Sequence, residues 1–166
     1  AEDVSEVTVR TFNPAFDGTE SFSYGAGDID GDGTGEVIRL GGGRTFGDSL
    51  TVDVFSQNDS GKKLSKEQEF RYESRSSIFT YQFNVSLADI NGTGRKEILI
   101  DNLNQSVVFT SSSGSYDPTP IRYAAGAGDL NPVGDLNGDG RADFVFDDGE
   151  NTAIGFGPAD VRAGLS

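Results

Sequence analysis

The 166-residue sequence predicts an all-β fold of antiparallel sheets. Three observations predict it. A nine-residue loop of Asp, Asn and Gly returns three times, and a short apolar run follows each copy. Turns rich in Gly, Asp and Asn then lead into a second strand-like run. No segment sustains a helical period.

The first loop runs from Asp28 to Glu36 and is followed by Val37, Ile38, Arg39 and Leu40. The second runs from Asp89 to Glu97, followed by Ile98, Leu99 and Ile100. The third runs from Asp135 to Asp143, followed by Phe144, Val145 and Phe146. An aromatic or Gly/Ala/Ser-rich segment precedes each loop, at 22–27, 81–85 and 123–134. Second runs are expected at 50–55, 106–110 and 152–156, and 6–12 alternates like one more strand. The triplets after the second and third loops are apolar on both faces. That pattern fits sheets stacked face to face rather than a sheet with one wet side.

The loops start 61 and 46 residues apart. Propeller blades of four strands recur at about 40–50 residues. The expectation is therefore one domain over 1–166, built of about three propeller-type blades of four-stranded antiparallel sheet. Their expected bounds are 20–75, 79–123 and 124–157, with 6–12 able to complete the third beside 152–156. The longer first spacing implies an insertion, and the polar stretch 56–69 is the place for it.

Calcium is a hard cation that takes six to eight oxygens at about 2.3–2.6 Å. A nine-residue loop supplies them if side chains at positions 1, 3, 5 and 9 converge and position 7 offers its carbonyl. Glycine at position 6 lets the backbone turn around the ion. The expected ligands are Asp28, Asp30, Asp32, Thr34 and Glu36 in the first loop. In the second they are Asp89, Asn91, Thr93, Arg95 and Glu97, and in the third Asp135, Asn137, Asp139, Arg141 and Asp143. Thr34, Arg95 and Arg141 are the carbonyl donors. With four, two and three carboxylates respectively, the loops should hold two or three Ca²⁺ per chain. The second, which also carries Arg95 and Lys96, should be weakest. An EF-hand opens with the same spacing but needs a bidentate Glu at position 12 and flanking helices. Here position 12 is Arg39, Ile100 or Phe146, and strand-like sequence follows. Plain hairpin turns are the other alternative, and three copies matched at positions 1, 3, 6 and 9 weigh against them.

These residues resemble the FG-GAP/VCBS repeats of integrin-α propellers and of many secreted microbial proteins. Gly155, Phe156, Gly157, Pro158 and Ala159 also look like that family's Phe-Gly and Gly-Ala-Pro element, rearranged. The resemblance implies a blade with a structural Ca²⁺ between its first two strands and a function carried by other loops. Three blades are fewer than the six to eight that close such a ring. The resemblance thus implies a homo-oligomer, or neighbouring blades of a longer chain.

Composition narrows the chemistry. There is no Cys or His, which excludes thiol nucleophiles, disulfides, Cys/His zinc sites and a Ser-His-Asp triad. A net charge of −14 disfavours nucleic acid and anionic membranes. No apolar run reaches the ~20 residues of a spanning helix, so no membrane insertion is expected. The expected role is a secreted or cell-surface calcium module for adhesion, or for protein or glycan binding. A structural building block of a fibre or surface layer is the alternative. Part of a polysaccharide-active enzyme is a third reading, for which Asp147, Asp148 and Glu150 are the spare acidic group.

Overall fold

The computed structural model describes residues 21–42, 49–57, 64–73, 83–102, 105–112, 114–123, 131–147 and 152–155. Every regular element among them is a strand. The first sheet is an antiparallel meander of β1 (Ser21–Gly27), β2 (Glu36–Gly42), β3 (Ser49–Gln57) and β4 (Leu64–Glu73). The second orders β5 (Asn84–Ala88), β6 (Glu97–Asn102), β7 (Gln105–Phe109) and β10 (Ile121–Tyr123). A two-stranded hairpin of β8 (Ser111–Ser112) and β9 (Ser115–Tyr116) lies between β7 and β10 in the chain. The third sheet orders β11 (Asn131–Gly134), β12 (Asp143–Asp147) and β13 (Thr152–Gly155). No sheet closes on itself among the described residues.

Side chains alternate across a strand, so each sheet has two faces to cover. On the first sheet Ile38, Leu40, Val52, Val54, Phe70 and Tyr72 point inward. They pack on Val85, Ile98, Ile100, Val107 and Phe109 of the second sheet. Phe109 sits edge-on to Tyr72, with ring centroids 5.7 Å apart. The opposite face of the second sheet presents Ala88, Leu99 and Val108 to Phe144 of the third and to Ala142 just before it. The second sheet is therefore covered on both sides, as the Ile98–Ile100 triplet predicts, and Ile98, Leu99 and Ile100 are all essentially inaccessible. Polar ties reinforce the first seam. The Gln68 amide exchanges two hydrogen bonds of 2.8 Å with the main chain of Tyr116. Arg122 donates to the Tyr72 hydroxyl at 3.0 Å and stacks on its ring. The outward face of the first sheet is built differently. There Arg39 lies between the rings of Phe22 and Phe55 and pairs with the buried carboxylate of Asp53.

Within the stretch 56–69, where an insertion is expected, residues 58–63 lie outside the described residues. Its two ends are β-structure, with Ser56 opposite Ser65 and Gln57 opposite Leu64. A bulge between Val54 and Phe55 shifts the register there. Lys66, Glu67 and Glu69 are exposed on this edge strand and only Gln68 between them is half-buried, and charged side chains suit such an edge. The polar composition that marks an edge strand had the look of a loop. The long β3–β4 hairpin accounts for part of the longer first spacing. The strand expected at 6–12 and residues 148–150 and 156–159 lie outside the described residues.

Candidate metal centre

Each of the three loops joins the first two strands of its sheet, at 28–35, 89–96 and 135–142. In each, position 9 is the first residue of the second strand: Glu36, Glu97 or Asp143. The same main-chain device shapes all three. The position-1 carboxylate turns inward and accepts the N–H groups of the loop. Asp28 takes Gly31 and Gly33 at 2.7 and 3.0 Å. Asp89 takes Thr93 and Gly94 at 3.0 and 2.7 Å. Asp135 takes Gly138, Asp139 and Gly140 at 2.6, 3.0 and 2.8 Å. The Gly140 N–H, first among these donors, holds the Asp135 carboxyl below the ordinary carboxylate value. Such a curl needs left-handed backbone at position 4 and again at position 6, where Gly31 and Gly33 have φ of 81° and 87°.

Position 9 closes the loop from below. Glu36 accepts the N–H of Ile29 at 2.9 Å, Glu97 that of Ile90 at 2.9 Å, and Asp143 that of Leu136 at 2.7 Å. All three of these residues are buried, a property that the residue types of the loop do not by themselves convey.

The first loop brings its ligands together. Asp28, Asp30 and Glu36 each offer an oxygen, and these oxygens lie within 4.8 Å of one another. Oxygens bound to one Ca²⁺ at 2.3–2.6 Å can be at most about 5 Å apart, so the spacing fits a shared ion. Accepting one N–H leaves each carboxylate oxygen a further lone pair for a cation. The electrostatics point the same way. Burial pushes the Glu36 carboxyl up, and the negative charges of Asp30, Asp32 and Asp28 push it further. Asp32 turns aside to accept the Thr34 N–H and hydroxyl at 2.7 and 2.6 Å, and these bonds lower its pKa. A polar cleft of about 270 Å³ opens beside this group, with Asp30, Asp32 and Glu36 on one wall and Arg95 of the second loop on another.

In the second loop the side chains at positions 3 and 9 bond to each other. The Asn91 amide nitrogen donates to Glu97 Oε1 at 2.7 Å, while the Asn91 oxygen accepts the Thr93 N–H at 3.1 Å. Burial, aided by Asp89, raises the Glu97 carboxyl to about 7. In the third loop the Asn137 amide donates to Asp139 at 3.3 Å, and Arg141 approaches the same carboxylate at 3.8 Å. Its three acids do not form a group as close as that of the first loop. Thr34 is exposed, whereas Arg95 and Arg141 are half-buried where adjoining loops meet.

Two features of the loops escaped the sequence reading. Position 4 is Gly in all three, with φ of 81°, 72° and 78° at Gly31, Gly92 and Gly138. Position 2 is Ile29, Ile90 and Leu136, an apolar residue amid polar ones. Both signals stood in the aligned loops. Their use became visible only with the loops side by side, because the Lys96 N–H donates to the Ile29 carbonyl at 2.9 Å.

Comparison of the chain with protein-family models, with curated proteins and with solved structures found no match.

Proposed function

We propose that the chain is a calcium-binding module of the FG-GAP/VCBS kind, in which each sheet acts as a propeller-type blade. One observation carries this reading: the oxygens of Asp28, Asp30 and Glu36 gather within 4.8 Å at the head of β2. Three acids gathered this closely repel one another unless a cation offsets them. Asp28, Asp30 and Glu36 would hold Ca²⁺ in the first loop, with Asp32 and the Thr34 carbonyl completing the set. The ion's role there is structural, since it neutralises carboxylates that the fold crowds together and ties β1 to β2.

The third loop would take a second ion through Asp135, Asn137, Asp139 and Asp143, with the Arg141 carbonyl. The second, with Asp89, Asn91, Thr93, Arg95 and Glu97, binds last, because its amide–carboxylate bond must break first. Open loops with partly exposed carboxylates suit the weak binding of extracellular modules, at about 10⁻⁴–10⁻³ M. Such an affinity would suit a chain working outside the cell or at its surface, where it would bind a protein or glycan.

Native mass spectrometry with and without chelator tests the reading. The expected result is two or three Ca²⁺ per chain, lost in EDTA. An unloaded chain at millimolar calcium ends it.

A second reading, a structural building block, is favoured by the apolar residues left on the outer sheets and the third loop: Tyr24, Val133, Leu136 and Ile154 are all substantially exposed. Sedimentation at rising concentration separates the two. Small defined species support the module, and unbounded growth supports the building block.

A further inference from the structure

The two seams between sheets are built by one rule. From the first sheet to the second, the Lys96 N–H donates to Ile29 O at 2.9 Å. From the second to the third, the Ala142 N–H donates to Asp89 O at 2.7 Å. Lys96 and Ala142 both occupy position 8 of their loops, and each donates to position 1 or 2 of the loop before. The glycines at position 4 follow the same rule. A Cβ on Gly31 would meet Gly94 O at 3.4 Å, and one on Gly92 would meet Gly140 O at 3.2 Å.

The apolar side chains obey it as well. Position 2 is covered by the following sheet, so Ile29 and Ile90 are 8% and 1% exposed. Position 10 faces the preceding sheet, and Ile98 and Phe144 are fully buried there. Position 11 faces the following sheet, and Ile38 and Leu99 are fully buried.

At the two ends of the stack the rule is left half complete. Leu136, at position 2 of the third loop, is 56% exposed. Val145, at position 11, is only half-buried, and Ile154 beside it in register is 54% exposed. At the other end Val37, at position 10 of the first loop, is half-buried. Tyr24 shares its face, two residues along in register, and is 53% exposed. The position-8 N–H of Gly35 has no partner among the described residues, and neither do the carbonyls of Asp135 and Leu136. Among the described residues, one end thus presents an unpaired donor beside apolar side chains, and the other presents unpaired acceptors beside an exposed leucine.

We propose that a second copy of this chain completes both ends, head to tail. The third sheet of one copy receives the first sheet of the other. Leu136, Val145 and Ile154 meet Val37 and Tyr24, and the Gly35 N–H of the second copy donates to the Asp135 or Leu136 carbonyl of the first. The contact is heterologous, because the two surfaces differ, and it continues the seam that the chain already makes twice within itself. It does not depend on the calcium reading, since every group named is main chain or apolar.

Two substitutions at exposed positions test it. Tyr24→Asp damages one surface and Leu136→Asp the other, and circular dichroism monitors the fold of each. In sedimentation velocity the wild type is expected to run larger than a monomer, and each variant alone as a monomer. Mixed in equal amounts, the two variants should re-form a dimer, because each supplies the surface the other lacks. A monomeric wild type, an associated single variant or a mixture that stays monomeric overturns the proposal.

Discussion

The main-chain N–H of Ala142 donates to the carbonyl of Asp89 at 2.7 Å, joining the third loop to the second. Beneath that bond Ile90 is 1% exposed and packs with Ala142 and Phe144. The loops are thus part of the packing between sheets as well as turns within them. Any ion held in one loop bears on its neighbour, and any change to one loop is felt across a seam.

Ile90→Ala should therefore cost about 2–4 kcal/mol, the usual range for emptying a well-packed site. Leu136→Ala removes the same kind of side chain from the same loop position, but from solvent. Its cost should stay within about 0.5 kcal/mol in dilute, monomeric samples. Urea denaturation of the two variants checks the contrast. Equal costs would mean that position 2 is not covered in the way described.

Gly92→Ala and Gly33→Ala separate backbone strain from crowding. Both glycines have left-handed φ, 72° and 87°, so each substitution carries roughly 1–2 kcal/mol of strain. A Cβ at Gly92 also meets Arg141 Cγ at 3.1 Å and Gly140 O at 3.2 Å, whereas at Gly33 it meets open space. Gly92→Ala should be the more damaging in thermal denaturation.

Asp30→Asn should act in opposite directions with and without calcium. Asp30 is exposed, and its one hydrogen bond, from the Asp32 N–H at 3.2 Å, survives in the amide. Without calcium the substitution removes a negative charge facing Asp28 and Glu36, so stability should hold or rise. With calcium it removes a ligand, so the calcium-induced rise in Tm should shrink. For the wild type that rise corresponds to about 2.7 kcal/mol when calcium is a hundred times its Kd. Calorimetry in calcium and in EDTA reads both directions.

Glu97 makes stability depend on pH. Its carboxyl titrates at about 7 in the fold against an ordinary value of 4.5, chiefly because it is buried. Between those values the folded chain holds a proton that the unfolded chain has released. Its contribution to calcium-free stability is therefore complete below 4.5 and is lost as pH rises through about 7. The loss is on the order of 3 kcal/mol. Glu97→Gln keeps the shape without the titration, so the wild type minus variant difference in stability should fall across that window. A flat difference in EDTA would show that Glu97 is ionised throughout. Calcium binding in this loop should strengthen with rising pH, because the ion competes with the same proton.

The regular arrangement was largely legible in the sequence. The triplet Ile98–Ile100 carried stacking, since apolar residues on both faces of a short strand require cover on both sides, whereas in the triplet from Phe144 only Phe144 is fully covered and Val145 is half-buried. Gly, Asp and Asn clusters marked the turns because few other residues take those backbone conformations. Strand β4 was not legible, because Lys66, Glu67 and Glu69 on an edge strand look like loop residues until Phe55 is seen opposite Lys66 and Asp53 opposite Glu69. Within the loops, residue types gave the candidate ligands but not their convergence. Asp28, Asp30 and Glu36 gather, while Asp139 turns toward Arg141 and Asn91 toward Glu97.

What the sequence alone determined is local: which residues turn, which alternate, and where oxygen-bearing side chains recur at matched positions. These follow from backbone preference and a period of two, which act within a few residues. What only the tertiary structure decided is relational. The burial of Glu36, Glu97 and Asp143, the bond from Lys96 to Ile29 and the difference between Ile90 and Leu136 all depend on the neighbouring sheet. Burial and pairing belong to two surfaces at once, and no single stretch of chain contains both.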